Sequence, residues 1–249
     1  MPEPSGTVKN LSELINRSAE AQKAFKRETV WWRGHSRAHW NLVPGVHRKG
    51  LQSTYEKNIV GRFMLKAHTR HHQCPTENDY PGWLFLMQHY RLPTRLLDWT
   101  ESAMVAVFFA ADGHPSKDGA LWALDPFTLN RNQFQKDRIL TPRASAASPL
   151  FHAPFQEKVT EQPVTAAVVG REVDIRMLIQ QSVFTIHGAV TPIEAISGAD
   201  NFTRKFIVPA ASKQLIRRQL RVLGFKLHTL FPDLEHLASD LATLQFPPD

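Results

Sequence analysis

Residues 88–111 read QHYRLPTRLLDWTESAMVAVFFAA, and this stretch decides the fold class. Its second half holds residues 103–111, the longest unbroken apolar run of the chain. A helix that is apolar all round must be buried on every side, so the run predicts a central core helix. Asp98 is followed three residues later by Glu101, which is the spacing of a capping box. We therefore predict that this helix begins at Thr100 and ends at Ala111.

Strand patterns and helix patterns lie on both sides of that segment. β-Branched and aromatic residues predict strands at residues 29–33, 119–125, 183–187 and 206–209. Helical spacing and helix-start signals predict helices within residues 1–28, at 52–72, from Pro81, at 211–225 and from Pro232. The mixture predicts an α+β fold with a mixed or antiparallel sheet core and flanking helices. Residues 126–165, with Thr-Pro, Ser-Pro, Ala-Pro and Gln-Pro steps, predict a long loop or insertion.

The composition excludes several classes of protein. With one cysteine among 249 residues, the chain is neither a disulfide scaffold nor the holder of an all-cysteine zinc site. The longest apolar run is far shorter than the ~20 residues that a membrane span needs. The glycine-rich phosphate loops and the H-E-x-x-H motif do not occur, which excludes P-loop NTPases, Rossmann dehydrogenases and zincins. Because the N-terminus has no signal-peptide pattern, we expect a cytoplasmic protein that does not bind membranes.

The basic residues are unevenly placed along the chain. The net charge is +7, and residues 201–226 hold seven basic residues and no acidic one. The predicted helix 211–225 should bury Leu215, Ile216, Leu220 and Leu223 and end at Gly224. On it, Lys213, Arg217 and Arg221 follow one another at i, i+4 and i+8, with Arg218 beside them. These residues predict a surface that binds a nucleic-acid or protein target. The alternative is a basic surface that serves only solubility.

Two arginine-containing segments are candidates for a binding site. Arg33 follows two tryptophans at the end of a predicted strand, and an unpaired buried charge is expensive. Its guanidinium could hold a phosphate or carboxylate bidentately, or form an internal salt bridge to Asp98. We expect Thr94, Arg95 and Asp98 to form a hydrogen-bonded cluster between two apolar helices. They could line a site, or they could cap helices and close a turn.

Amide and imidazole groups supply the remaining candidates. Gln180 and Gln181 stand just before a predicted strand, where neutral amides could position a ligand or satisfy loop backbone. Three histidines and the cysteine have a spacing that could form part of a zinc site: His68, His71, His72 and Cys74. A matching second half of a ligand set is missing, so we expect a solvated histidine cluster and no metal.

The motifs resemble those of the FRG domain family, over about residues 29 to 238. The signatures are Trp32-Arg33-Gly34, then Gln88 to Thr100 with the following Ala106 and Phe109, then Arg176 with QQSVFTIH, and lastly LFPDLEHLA at residues 230–238. The resemblance implies an N-terminal helical extension at residues 1–28 and an FRG domain at 29–249. Members of this family are mostly bacterial or phage-associated.

A more distant similarity is to the ADP-ribosyltransferases. Those proteins carry, in order, a strand with an NAD-contacting Arg, a Ser-Thr-Ser strand leading into a helix with an A-x-x-F pattern, and a strand with a catalytic Glu. These three places would be taken by Arg33, by the triplet Asp98-Trp99-Thr100 and by the pair Gln180-Gln181. The triplet differs from Ser-Thr-Ser at all three positions, although Thr100 is a close substitute for the Ser. The third lacks the Glu, and a Gln there loses the negative charge that stabilises the transition state.

The resemblance implies a cleft that binds NAD as a substrate in an ADP-ribosyltransferase-like fold. Arg33 and Gly34 would contact the cofactor, with Thr94, Arg95, Asp98 and Thr100 lining or bracing the cleft. The residues expected beside the reacting ribose are Gln181, Gln180 and His89. The expected function is transfer of ADP-ribose to a macromolecular target, or NAD hydrolysis, in a toxin or phage-defence setting. The alternative is a non-catalytic module that binds nucleic acid or protein.

Overall fold

The computed structural model describes residues 3–48, 53–156, 162–172 and 174–242. The strands in this part of the chain are β1 Gly6–Thr7, β2 Trp31–His35, β3 Leu96–Thr100, β4 Gly119–Leu124, β5 Thr165–Val168, β6 Ser182–His187 and β7 Thr203–Val208. The α-helices are α1 Leu11–Phe25, α2 Gly45–Arg48, α3 Ser53–Ala67, α4 Tyr80–His89, α5 Ala103–Ala111, α6 Pro126–Phe134, α7 Ser148–His152, α8 Ile175–Ile179, α9 Ala210–Val222, α10 Leu227–Leu230 and α11 Leu234–Leu241. The fold is α+β, as the sequence predicts.

The described strands form one mixed sheet that divides near its middle. The strand order is β1-β7-β4-β2-β3-β6-β5, with β1 parallel to β7 and the other pairs antiparallel. Strand β2 pairs with β4 along its whole length, and β3 pairs with β6 in the same way. Between β2 and β3 the register holds a single pair, Trp32 with Thr100. The two strands therefore separate beyond that pair and leave a gap in the sheet.

Helix α5 packs on one face of the sheet beside this gap. Its residues are apolar on all sides, and Val105, Ala106 and Ala110 are buried. Helices α1 and α9 cover its outer side, so that Leu14 and Ile216 share a core cluster with α5. The sequence prediction of a central core helix is confirmed.

The opposite face of the sheet carries a second core, the tryptophan core, in which three tryptophans pack among leucine, alanine and other apolar side chains. Trp31, Trp99 and Trp122 come from three different strands and are nearly inaccessible to solvent. Phe202, which precedes β7, packs with them. A third cluster joins α4 and α7 to the β6 end of the sheet through Phe85, Phe151 and Phe184.

The predicted start of the core helix is wrong. Residues 96–100 are strand β3, Asp98 is exposed on it, and α5 begins only at Ala103. Ser102 supplies the N-cap, since its Oγ accepts a bond of 3.4 Å from the Val105 N–H. Leu97 and Trp99 alternate with Asp98, and this period-2 pattern outweighs the local capping spacing because both apolar side chains reach the tryptophan core.

The predicted loop over residues 126–165 is also corrected. It contains α6, α7 and the first residue of β5, while residues 157–161 lie outside the described part. Pro126 and Pro149 stand in the first turns of helices, where a missing N–H costs nothing. The Asp125 carboxylate caps α6 by accepting the N–H groups of Phe127 and Thr128. Of the four predicted proline steps, Ser148-Pro149 therefore starts a helix, and Ala153-Pro154 lies in the short 3-10 turn that follows it.

The prediction for helix α9 is partly right. Ile216 and Leu220 are buried and Gly224 adopts a positive φ of 84° just past the helix, whereas Leu215 and Leu223 are exposed. Lys213, predicted on the outer edge, is buried. Its ammonium donates to the carbonyls of Ser36, Gly113 and His114 at 2.8, 3.2 and 3.2 Å. These carbonyls lie in the turns that follow β2 and α5, and the His114 carbonyl also accepts the Lys117 N–H at 3.0 Å.

The other predicted elements are confirmed with shifts of a few residues at their ends. They are the N-terminal helix α1, the helices α3, α4 and α11, and the strands β2, β4, β6 and β7. Within the described residues, no helix has the length and apolar character needed to cross a membrane.

Candidate functional site

A cavity of about 340 Å³ opens where β2 and β3 separate. It lies between α5 on one side and the segments around α8 and α10 on the other. Its lining residues are Trp32, Arg33, Gly34, Ser36, Trp40, Asp98, Trp99, Thr100, Val105, Ala106, Phe109, Asp112, Arg176, Gln180, Ser182 and Phe231. The volume lies at the lower end of the range for small-ligand sites.

Arg33 spans the gap between the two strands. Its Nη1 donates to the main-chain carbonyl of Asp98 at 2.5 Å and lies 3.9 Å from the Asp98 carboxylate. Burial lowers the pKa of Arg33 to about 10, while the Asp98 charge raises it and Arg48 lowers it. The side chain therefore remains a cation at neutral pH. Part of its charge is opposed by Asp98, as the salt-bridge alternative from the sequence predicts.

His35 fixes the orientation of the Arg33 side chain. The Arg33 Nε–H donates to His35 Nε2 at 3.0 Å, so this ring nitrogen acts as the acceptor. The other nitrogen, Nδ1, then carries the proton and donates to the Trp40 carbonyl at 3.2 Å. Burial and the neighbouring Arg33 charge hold the pKa of His35 well below its ordinary value. The imidazole is thus neutral, which the acceptor role requires.

Gly34 allows α5 to lie directly against β2 at the cavity. A Cβ at this position would stand 1.9 Å from the Ala106 carbonyl oxygen and 2.6 Å from the Ala110 nitrogen. Both are backbone atoms of a packed helix and cannot move aside cheaply. The glycine beside Arg33 is therefore required by the close approach of helix and strand.

Arg176 brings a second guanidinium to the cavity from the first turn of α8. Its Cζ lies 4.6 Å from the centroid of the Phe231 ring, and its Nη1 donates to the His89 carbonyl at 3.3 Å. Burial lowers the pKa of Arg176, and the Asp98 carboxylate is the largest influence that raises it. Arg33 and Arg176 therefore share the Asp98 carboxylate, while Asp112, the second carboxylate of the lining, lies 3.8 Å from Arg217.

Hydroxyl and amide groups line the wall opposite α5. Thr100 Oγ1 donates to the Gln180 main-chain carbonyl at 2.6 Å and accepts the Ser102 N–H at 3.0 Å. The Gln180 side-chain amide donates to the Leu230 carbonyl at 2.9 Å. Gln180 thereby ties the segment before α11 to the cavity wall.

Asp98 is held by a short relay of side chains. Thr94 Oγ1 donates to Gln88 Oε1 at 2.6 Å, and Gln88 Nε2 donates to Asp98 Oδ2 at 2.8 Å. The Asp98 side chain keeps 53% of its surface exposed. Thr94 is buried and acts through Gln88, so it braces the cleft without lining it.

Arg95 is not a member of this group. It forms a buried ion pair with Glu56 of α3, through Nε–Oε1 at 3.0 Å and Nη2–Oε2 at 2.5 Å. Residues three apart on extended chain point to opposite faces, so Arg95 and Asp98 diverge. The predicted cluster of Thr94, Arg95 and Asp98 is therefore corrected, with Gln88 in the place of Arg95.

The structure brings five of the sequence-predicted residues to the cavity lining: Arg33, Gly34, Asp98, Thr100 and Gln180. Gln181 is exposed outside the lining, with a positive φ of 47° and its carbonyl bonded to the Glu101 N–H. His89 also lies outside the lining. Its Nδ1 pairs with the Asp174 carboxylate, and burial lowers its pKa. His89 reaches the site only through its carbonyl, which Arg176 contacts.

Sequence reasoning missed Trp40, Arg176, Ser182 and Phe231 as lining residues. Arg176 belongs to a recognised motif, so its charge beside an apolar run was an available signal. Ser182 and Phe231 lie within the QQSVFTIH and LFPDLEHLA signatures, whereas no local pattern marks Trp40, which a loop brings to the cavity.

The histidine-rich segment does not form a metal centre in the described part of the chain. Among those residues, no three His, Cys, Asp or Glu side chains lie together as a metal would require. His68 packs edge-on against Trp83 at 5.5 Å, and the Cys74 thiol donates to the His71 carbonyl at 3.3 Å.

Residues 28–119 match the family model of the FRG domain. The matched segment includes β2, β3 and α5, and with them Arg33, Gly34 and Asp98. This supports the FRG assignment for the part of the chain that forms one side of the cavity. No curated protein and no solved structure matches the chain.

Proposed function

We propose that this cleft binds NAD and that the protein transfers ADP-ribose from it to a macromolecule or to water. The observation that carries the proposal is the pair of guanidiniums, Arg33 and Arg176, which line one cavity and are both influenced by the Asp98 carboxylate. Planar guanidinium groups bind phosphate bidentately, and partial burial strengthens the attraction. Two guanidiniums that line one pocket can each hold one of the two phosphates of a dinucleotide.

The order of strands supports the similarity to ADP-ribosyltransferases. The strand with Arg33, the strand with Asp98-Trp99-Thr100 and the strand that follows Gln180-Gln181 are neighbours in the sheet, as β2, β3 and β6. Residues that are far apart in sequence could therefore contact the same ligand. Thr100 and Gln180, from the second and third motifs, are joined by a hydrogen bond at the cavity wall.

The reaction would break the bond between the ribose C1′ and the nicotinamide nitrogen of NAD. Nicotinamide leaves with the bonding electron pair, and the nucleophile's oxygen or nitrogen bonds to C1′ and releases its proton. Arg33 and Arg176 would hold the phosphates, and Gln180 would contact the ribose. Because Gln180 has no charge, the stabilisation of the cationic ribose is weaker than that which a Glu would give, by several kcal/mol.

Release of nicotinamide from NAD by the purified protein, followed by proton NMR, tests this proposal. Arg33→Ala and Gln180→Ala should each abolish most of the release. Arg62→Ala, which removes an exposed arginine of α3, is the matched control and should retain it. Release that is equal in all four proteins, or absent from the wild type, would count against the enzymatic proposal.

A second candidate function is a non-catalytic module that binds nucleic acid. It is favoured by Arg217, Arg218 and Arg221, which are exposed on α9, with Arg217 3.8 Å from the Asp112 carboxylate at the cavity rim. Phosphate contacts release counterions, so binding to a DNA or RNA oligonucleotide should weaken steeply between low and moderate salt. An absence of oligonucleotide binding at low salt would count against this candidate function.

A further inference from the structure

Trp40 differs from every other tryptophan of the chain. It keeps 37% of its surface exposed, whereas the other five are at most 4% exposed. It also lines the cavity that contains Arg33. A large aromatic side chain left accessible inside a cleft loses the hydrophobic stabilisation that burial would give. Its position is explained if a ligand covers it.

The Trp40 ring is held in place without being buried. The His35 and His114 rings contact it edge-on, with centroid distances of 6.1 and 5.6 Å. The Arg37 guanidinium lies 5.8 Å from the ring centroid. The Trp40 main chain is fixed by the bond from His35 Nδ1 to its carbonyl. An indole positioned in this way presents a planar surface at little cost in conformational entropy.

One imidazole connects this indole to Arg33. His35 accepts from the Arg33 Nε–H on one ring nitrogen and donates to the Trp40 carbonyl from the other. The guanidinium and the indole therefore hold a fixed relation to each other in the same cavity. A cation for phosphate beside an aromatic plane for a base is the pair of groups with which proteins bind nucleotides without reading their sequence.

We propose that Trp40 is the platform on which an aromatic base of the ligand stacks. This rests on the proposed function, because the ligand must reach Arg33 through a phosphate. The cleft then selects nucleotides over simple phosphates and diphosphates by the base.

Calorimetric titration of NAD into the wild type and three variants tests the proposal. Trp40→Ala should weaken binding roughly 5- to 150-fold, the range measured for loss of one base–aromatic stack. Trp40→Phe retains a ring and should bind within about threefold of the wild type. Tyr55→Ala removes an aromatic ring of similar exposure on α3, outside the cavity lining, and should leave the affinity unchanged.

Two further measurements separate stacking from support of the loop. Inorganic pyrophosphate should bind Trp40→Ala as well as it binds the wild type, because it has no base. NAD should quench the tryptophan fluorescence of the wild type, and most of that quenching should vanish in Trp40→Phe although NAD still binds.

Three outcomes would overturn the stacking role while leaving NAD binding intact. They are an unchanged NAD affinity in Trp40→Ala, an equal loss in Trp40→Phe and Trp40→Ala, or an equal loss of pyrophosphate and NAD affinity in Trp40→Ala. Failure of the wild type to bind NAD at all would overturn the proposed function, and this inference with it.

Discussion

The Arg33 guanidinium takes the main-chain carbonyl of Asp98 as its hydrogen-bond acceptor, at 2.5 Å, across the gap between β2 and β3. In a continuous sheet the two strands would pair through their backbones at this level. Here the strands pair only at Trp32 and Thr100, and a side chain bridges the space beyond. The Arg33 guanidinium thus bridges the two strands at the edge of the gap and also lines the cavity between them.

Replacing Asp98 with Asn should strengthen the binding of a small phosphate ligand. The carboxylate, 3.9 Å from Arg33 Nη1, competes with any anion for the two guanidiniums. Because the Asp98 side chain is half exposed, the effect should be modest, about two- to fivefold for inorganic pyrophosphate at low salt. It should shrink as salt is added. Calorimetric titration measures it, and a weaker affinity in Asp98→Asn would show that the carboxylate supports the site.

Replacing Gly34 with Ala should destabilise the protein by about 3 kcal/mol or more. The added Cβ would meet the backbone of α5 at 1.9 Å, so either the helix or the strand must shift. Gly61→Ala is the matched control, since a Cβ there meets nothing within 4 Å, and it should stabilise α3 by about 0.5–1 kcal/mol. Urea denaturation of both variants gives the two free energies, and similar values for the two would refute the proposed contact.

Breaking the ion pair between Arg95 and Glu56 should be costly. Both side chains are at most 5% exposed, and Glu56→Gln leaves a buried guanidinium without its counter-charge. The free energy of unfolding should fall by about 3–5 kcal/mol. Glu20→Gln, which breaks the exposed pair with Arg17, should change it by less than about 1 kcal/mol. Denaturation curves for the two variants measure both changes in the free energy of unfolding. A small loss of stability in Glu56→Gln would contradict the prediction and would mean that water reaches Arg95.

Stability should fall on acidification because two histidines are buried as neutral rings. Burial holds the pKa of His35 and of His187 well below the ordinary value. Below about pH 6.5 the unfolded chain therefore binds protons that the folded protein does not. Each group then lowers the free energy of unfolding by up to about 1.4 kcal/mol per pH unit as the pH falls. His187→Gln should flatten this slope between pH 7 and pH 5, and an unchanged slope would contradict the assignment.

The sequence predicts most elements of this fold, because their signals are local. The apolar run of α5 allows burial only on all sides, and proline or glycine marks the ends of α4, β4 and α9. The error at Asp98 arose because a capping spacing and a strand alternation overlap, and only the tryptophan core on the far face selects between them.

The site is less predictable, because its members come from distant segments. Arg33, Gly34 and Asp98 lie in motifs that can be read directly. The partner of Arg95 is 39 residues away on helix α3, and the carbonyls that hold Lys213 lie about 100 or more residues away. Trp40 reaches the cavity through a turn that is fixed by His35. Such relations depend on the packed structure and leave no periodic pattern.

The most direct test of the central claim is the affinity of the protein for NAD, measured by calorimetry for the wild type, Arg33→Lys and Arg33→Gln. The wild type should bind, and Arg33→Gln, which removes the charge, should lose about tenfold or more of that affinity. Arg33→Lys keeps the charge without the planar fork and should fall between the two. NAD binding of equal strength in all three proteins, or no binding by the wild type, would contradict the assignment of this cleft.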